Sequence, residues 1–339
     1  MQTKKRIEYL DAMRGLTMIL VVYSHVHLFS FNLFKSLGGG NSYNDIFVMV
    51  RMPLFFFVSG FLLDKPGVVW ALKDTIPFIK KKAKIQLVPT FVFMLLFCYL
   101  FDINVIDCFM DSAKSGYWFT ITLFQYFMAY SLCKMMPARF QYKVLLVVSL
   151  LFFGMAWLPV SGAFQFDKLW YFVFFSFGAY VKSHFSSFVD FLEGKCFSVL
   201  LVAFFLIAFI KLKGSFLNVV PVYVLENVFL GIAGICIVFN FFRKHEESFR
   251  QTTVLGKALQ YIGKRTLDVY LLHYFFLPRH LEVVGDFFRT NYNPSLEFVC
   301  SFLVSIVVVG LSLVLSNVIR TSDTLAHWLF GVKNLKAGK

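Results

Sequence analysis

The strongest constraint on this chain is a succession of apolar runs, each close to the roughly 20 residues that a helix needs to cross a bilayer's hydrocarbon. Ten can be read, over about 12–33, 45–63, 85–101, 117–136, 142–158, 168–181, 196–211, 218–242, 266–279 and 296–319, the sixth and ninth being short. Composition points the same way: 58% of the 339 residues are hydrophobic and 15% charged, against about 45–50% and about 25% in a soluble domain. A soluble globular chain, a disordered chain, a collagen and a disulfide-rich secreted module are excluded. A transmembrane β-barrel is disfavoured, because its strands alternate polar and apolar residues. The sequence predicts an all-α integral membrane protein, a bundle of about ten transmembrane helices forming a single domain over 1–339.

The formal net charge is +14. In a soluble protein that would point to nucleic acid. Here the excess sits in short loops, which makes it a topological signal, since Lys and Arg are retained on the cytoplasmic side. Lys4, Lys5 and Arg6 precede the first run; Lys65, Lys73, Lys80, Lys81, Lys82 and Lys84 follow the second; Lys134, Arg139 and Lys143 follow the fourth. Arg243, Lys244, Arg250, Lys257, Lys264 and Arg265 follow the eighth, and Arg320, Lys333, Lys336 and Lys339 follow the tenth. The bias alternates as an even number of spans requires, with 1–11 and 320–339 as cytoplasmic tails. Lys211 and Lys213 fit this pattern less well, as do Arg279 and Arg289, which Glu282 and Asp286 accompany. The first run is too long for a signal peptide and lacks a small-residue cleavage site. A multi-pass protein of the cytoplasmic membrane is expected, with membrane lipid and no nucleic acid as partner. The 46 Phe and the preference for Lys hint at a bacterial source. The six cysteines form no CxxC pair and no metal-type spacing, so neither a metal nor a redox role is assigned.

Ionisable residues inside membrane spans are costly and mark functional sites by default. Asp11, Arg14 and His25 lie in the first run. Arg14 and His25 are eleven residues apart, about three turns plus 20°, and so share one helix face with about 16 Å between them along the axis. Asp11, three residues before Arg14, can pair with it. Arg14 could instead snorkel to the headgroups, and His25 could simply make an interhelical hydrogen bond. His27 points about 200° from His25 and reads as outer-face decoration. In the second run Arg51 is followed by Pro53 and by Ser59-Gly60. A proline removes a backbone hydrogen bond and bends a helix, so Arg51 either faces a lined cavity or lies near the outer interface. Tyr270 and His273 are i, i+3 neighbours, whereas Asp268 and His273 are not on one face. Glu226 and Asn227 could be an interfacial end, and Trp118 could be a belt aromatic.

These residues carry a family resemblance. RIEYLDAMRGLTMILVVYSH resembles the opening signature of the acyltransferase-3 family of integral membrane O-acyltransferases, with the Arg-x10-His spacing of Arg14 and His25. RMPLFFFVSGFLL, WFTITLF from Trp118, FFSFGAYV and IGKRTLDVYLLHYFFL are similar to later segments of the same family, so that the resemblance runs from about residue 6 to about residue 319. It implies transfer of an acyl group, usually acetyl, from cytoplasmic acyl-CoA to a hydroxyl of a glycan or lipid-linked sugar, in a stand-alone sugar O-acetylase type without an esterase-like domain. One departure is FIKKKAKIQLVPTF, where family members usually carry Arg close to the Pro; a Lys holds phosphate as a point charge without the guanidinium's fork. On this reading His25 is the general base, Arg51 stabilises the oxyanion or the acceptor, and Arg14, Lys82 and Lys84 hold acetyl-CoA with Asp11 orienting Arg14. Ser59, Trp118, Tyr270 and His273 would line the pocket. Two other readings fit a polytopic chain with buried Arg and His: a secondary transporter or glycolipid flippase, and a non-catalytic membrane sensor or scaffold.

Overall fold

The computed structural model describes residues 7–33, 43–158, 162–213, 220–291 and 293–331. Lys4, Lys5, Arg6, Lys333, Lys336 and Lys339, used above for topology, lie outside them. The described residues are helical, with no strand among them. The helices are α1 (Glu8–His25), α2 (Tyr43–Leu63), α3 (Leu72–Lys82), α4 (Val88–Leu100), α5 (Val105–Met110), α6 (Trp118–Cys133), α7 (Gln141–Met155) and α8 (Phe172–Ser183). There follow α9 (Phe185–Glu193), α10 (Lys195–Lys213), α11 (Val220–Lys244), α12 (Val254–Lys264), α13 (Thr266–Phe276), α14 (Glu282–Thr290), α15 (Pro294–Arg320) and α16 (Asp323–Phe330).

Seven helical stretches among the described residues are long and apolar enough to cross a membrane: Glu8–Ser30, Tyr43–Leu63, Leu72–Leu100, Ala138–Met155, Lys195–Leu212, Val224–Lys244 and Pro294–Arg320. The fourth, sixth and ninth apolar runs of the sequence correspond to shorter helices: α6 has 16 residues, α8 has 12 and α13 has 11. At 1.5 Å per residue α13 covers only about 17 Å, little more than half of the hydrocarbon. Apolar runs report burial, and a helix enclosed by other helices is apolar without being of full membrane length.

The chain divides into two compact units, 1–58 with 184–313 and 59–183 with 314–339, the divisions falling inside α2, between α8 and α9, and inside α15. In the first unit α1 packs against α11, α12 and α13. Its tightest crossing, with α12, is made by glycines. A Cβ on Gly263 would lie 1.8 Å from the Asp11 carbonyl oxygen, and one on Gly15 2.0 Å from that of Leu259. Only hydrogen at these positions lets the two backbones approach so closely. Glu8 accepts from the Gln251 backbone N–H at 2.7 Å and from the Gln260 amide at 3.2 Å, tying the start of α1 to the turn before α12. Gly263→Val is expected to force these backbones apart and to destabilise the protein by about 3 kcal/mol. Thermal unfolding in detergent measures this, and an unchanged midpoint would show that the crossing does not need a glycine.

Helix directions in this unit follow from contacts at the helix ends. Arg14 meets Thr266 and His25 meets His273, so α13 runs beside α1 in the same direction. Tyr23, late in α1, meets Phe47, early in α2, and Glu297, early in α15, while Tyr9, early in α1, meets Phe239, late in α11. Helices α2, α11 and α15 therefore run opposite to α1. Pro53 lies within α2, which continues through it to Leu63.

Beyond His25 the first helix widens into a π-helical turn, Val26–Ser30. His27 lies in this turn and is buried. Its Nδ1 is 2.8 Å from Glu297 Oε1, which also accepts from the Tyr23 and Ser301 hydroxyls at 3.3 Å. This corrects the expectation that His27 faces outward. A π turn changes the angle per residue, and the carboxylate that receives the imidazole comes from a helix far along the chain.

In the second unit Tyr126, Phe127 and Tyr130 of α6 pack edge-on against Phe175 of α8, and Phe330 of α16 stacks on Phe93 of α4. Asp64, just past the end of α2, is buried and accepts from the Tyr130 hydroxyl at 2.7 Å and the Tyr142 hydroxyl at 2.8 Å, with the Lys134 ammonium at 3.5 Å.

Candidate functional site

The first unit gathers most of the ionisable residues singled out in the sequence. Helix α1 is continuous from Glu8 to His25, so the spacing that puts Arg14 and His25 on one face holds in the structure. Arg14 pairs with Asp11 at 3.8 Å and donates from Nη2 to the Thr266 hydroxyl at 2.8 Å, at the first residue of α13. Two turns further along α13, His273 Nε2 lies 2.8 Å from His25 Nδ1. Their ring centres are 5.0 Å apart and the ring planes differ by 8°. So long a centre separation with so short a nitrogen contact means that the rings meet edge to edge in nearly one plane, the geometry of a linear hydrogen bond.

The partners of each ring nitrogen assign the protons. His273 Nδ1 is 2.9 Å from the Val269 carbonyl oxygen, which can only accept, so that Nδ1 carries hydrogen. In the neutral ring Nε2 then bears the lone pair and must accept from His25 Nδ1–H. That leaves the lone pair of His25 on Nε2, where the Tyr274 hydroxyl donates at 3.2 Å. A bonded chain thus runs from Tyr274 through His25 and His273 to a backbone carbonyl, and holds His25 in a single tautomer. His273 is 0% exposed and Tyr274 5%, whereas His25 is half-buried, the least enclosed of the three.

Arg51, on α2, is buried, and its Nη1 lies 3.4 Å from the Val21 carbonyl oxygen. Val21 lies one turn before His25 on α1, so Arg51 reaches that helix one turn from the imidazole. Tyr270 is buried with its ring 6.1 Å from that of His273, so the i, i+3 pair does share a face. Among the described residues no group of three His, Cys, Asp or Glu could hold a metal ion.

Four other residues singled out in the sequence belong to the second unit: Ser59, Lys82, Lys84 and Trp118. The Lys82 ammonium lies 4.0 Å from the centre of the Phe127 ring. Lys84 is exposed, with its ammonium 2.9 Å from His327 Nε2 and over the Trp328 ring. Trp118 opens α6, half-buried, against Tyr171 and under the Lys168 ammonium. Ser59 is half-buried within α2.

Sequence reasoning missed Tyr274 and Glu297. Tyr274 directly follows His273, and a search for residues three or four apart passes over immediate neighbours. Glu297 had a visible signal, as the single acid in the last apolar run.

No curated protein and no solved structure matches the chain. The family described as an acyltransferase domain, acyltransferase-3, matches residues 7–314. That match takes in α1 and α13, whose motif residues meet in the His25–His273 pair, and the chain belongs to the acyltransferase-3 family of membrane acyltransferases.

Proposed function

We propose that this acyltransferase is an O-acetyltransferase that moves acetyl from cytoplasmic acetyl-CoA to a hydroxyl of a cell-surface glycan or lipid-linked sugar. The observation that carries the reading is the tautomer of His25: its Nδ1–H is tied to His273, and the lone pair on Nε2 is met only by a phenol, which can give it up to an acceptor hydroxyl. A neutral, oriented imidazole is the group that a hydroxyl nucleophile needs near neutral pH. The acceptor hydroxyl gives its proton to Nε2 as its oxygen attacks the thioester carbon. The carbon–sulfur bond then breaks, and the proton passes from Nε2 to the leaving thiolate, releasing CoA and the acetyl ester. His273 does for His25 what a carboxylate does in a hydrolase triad, holding tautomer and ring orientation. Arg51 supplies positive charge where the oxyanion or the acceptor oxygen develops its own.

Arg14, held by Asp11 and Thr266, is assigned to the phosphates of acetyl-CoA, and Tyr270 to the substrate pocket. The protein is placed in a bacterial cytoplasmic membrane as one domain of ten spans with both termini cytoplasmic. The helix directions of the first unit support that threading. As first and ninth spans α1 and α13 must run in the same direction, whereas α2, α11 and α15 as second, eighth and tenth spans must run the other way. Purified protein in detergent, given radiolabelled acetyl-CoA, is expected to release CoA thiol. Mass spectrometry of surface glycans is expected to show an acetyl that disappears when the gene is deleted. A transporter or flippase would give neither result.

A further inference from the structure

We propose that Tyr274 is a catalytic residue of this site, capping the base at rest and donating to the oxyanion during transfer. The proposal rests on the acyl-transfer reading of His25. His25 Nε2 has a single lone pair, and the Tyr274 hydroxyl donates to it at 3.2 Å. The opposite nitrogen is committed to His273 at 2.8 Å. An acceptor hydroxyl that is to lose its proton to Nε2 must therefore compete with the phenol for that lone pair, and the phenol must yield it.

Little room exists for the phenol to move far. Tyr274 is 5% exposed, and its ring centre lies 4.0 Å from that of His273 and 5.0 Å from that of His25. A displacement of about one bond length leaves the hydroxyl beside the reacting carbon, because that carbon is bonded to the very oxygen that has replaced it. The phenol then has one proton to donate and no lone pair of His25 to receive it. The nearest new acceptor is the thioester carbonyl oxygen, which gains negative charge as the carbon–oxygen bond forms. Neutral donors fixed in a water-poor site are effective at such an oxygen. The proton stays on the phenol throughout, so the balance of the reaction is unchanged: His25 still carries the acceptor's proton to the CoA sulfur. At rest the same contact shields the base from water.

The test uses the full-length protein in detergent, with acetyl-CoA as donor and water as the probe acceptor, read as release of CoA thiol. Tyr274→Phe is expected to lower kcat by about 10²–10³-fold while KM for acetyl-CoA stays within twofold, because the ring and its packing remain. Fluorotyrosines at position 274 separate catalysis from packing. They keep the hydroxyl while changing its acidity, and kcat is expected to vary in order along the series. A Phe variant within about threefold of the parent, or a fluorotyrosine series with no trend, would overturn the role of Tyr274 and leave the acyl-transfer reading standing. A parent protein that releases no thiol while His25→Ala behaves identically would overturn both.

Discussion

Replacement of His25 by alanine is expected to abolish acetyl transfer, a loss on the order of 10³–10⁴-fold in kcat, while the protein still inserts and folds. The size of the loss follows from the geometry. His25 Nε2 is the lone pair oriented by the His273 contact, and Tyr274, the other group bonded to it, is a phenol that donates rather than accepts. Folding should survive because His25 is only half-buried and α1 is held mainly elsewhere, through the Gly15 and Gly263 crossing and the Arg14–Thr266 bond. The companion substitutions at His273 refine the result. His273→Gln can keep an oxygen that accepts from His25 Nδ1–H, whereas His273→Leu cannot, and releases the ring to its other tautomer. His273→Leu is expected to fall at least about tenfold below His273→Gln in kcat with KM unchanged. Thiol release from acetyl-CoA measures both. Undiminished release by His25→Ala would remove the imidazole from the reaction, and equal rates for the two His273 variants would remove the tautomer argument.

The sequence exposed one side of this site and hid the other. Arg14 and His25 sit on a single helix, where a spacing of eleven residues fixes their common face without knowledge of any other part of the chain. The pairing of Asp11 with Arg14 was legible for the same reason. Contacts between helices were not. Nothing local says that His273 Nε2 reaches His25 across 248 positions, or that Glu297 reaches His27 across 270. His27 shows the same limit: it points away from His25, but toward a carboxylate on α15 rather than outward. The apolar runs gave the helical membrane class directly. They overstated the lengths of α6, α8 and α13, because hydropathy registers enclosure in protein as well as in lipid. Asp64 stands just past an apolar run without drawing notice in the sequence, and its partners at α6 and α7 make it a buried knot.

That knot carries the largest expected effect on stability. Asp64→Ala is expected to destabilise the protein by about 3–5 kcal/mol, the loss typical of breaking a buried ion pair by deleting one partner. Three groups lose their acceptor at once. The Tyr130 and Tyr142 hydroxyls are left without the carboxylate, and the Lys134 ammonium, 1% exposed, keeps only the Lys65 carbonyl at 2.9 Å and the Gln141 side-chain oxygen at 2.7 Å, neither of them charged. Gln141 in turn donates to the carbonyls of Val68 and Met136 at 3.0 Å, so the disturbance reaches the turn after α2 and the link between α6 and α7. Trp70 reports on it directly, since its backbone N–H donates to the Lys134 carbonyl and its ring packs edge-on to Tyr130. Thermal unfolding in detergent, followed by Trp fluorescence, should show the midpoint fall. Asp64→Asn retains an acceptor but no charge and should lose less. The decisive comparison adds Lys134→Met to Asp64→Ala: with the orphaned ammonium gone, an apolar replacement of the pair should recover a large part of the loss. If the double variant is no more stable than Asp64→Ala, the ammonium is not the source of the penalty and the weight lies with the two phenols; if Asp64→Ala loses less than about 1 kcal/mol, the carboxylate does not hold these helix ends together.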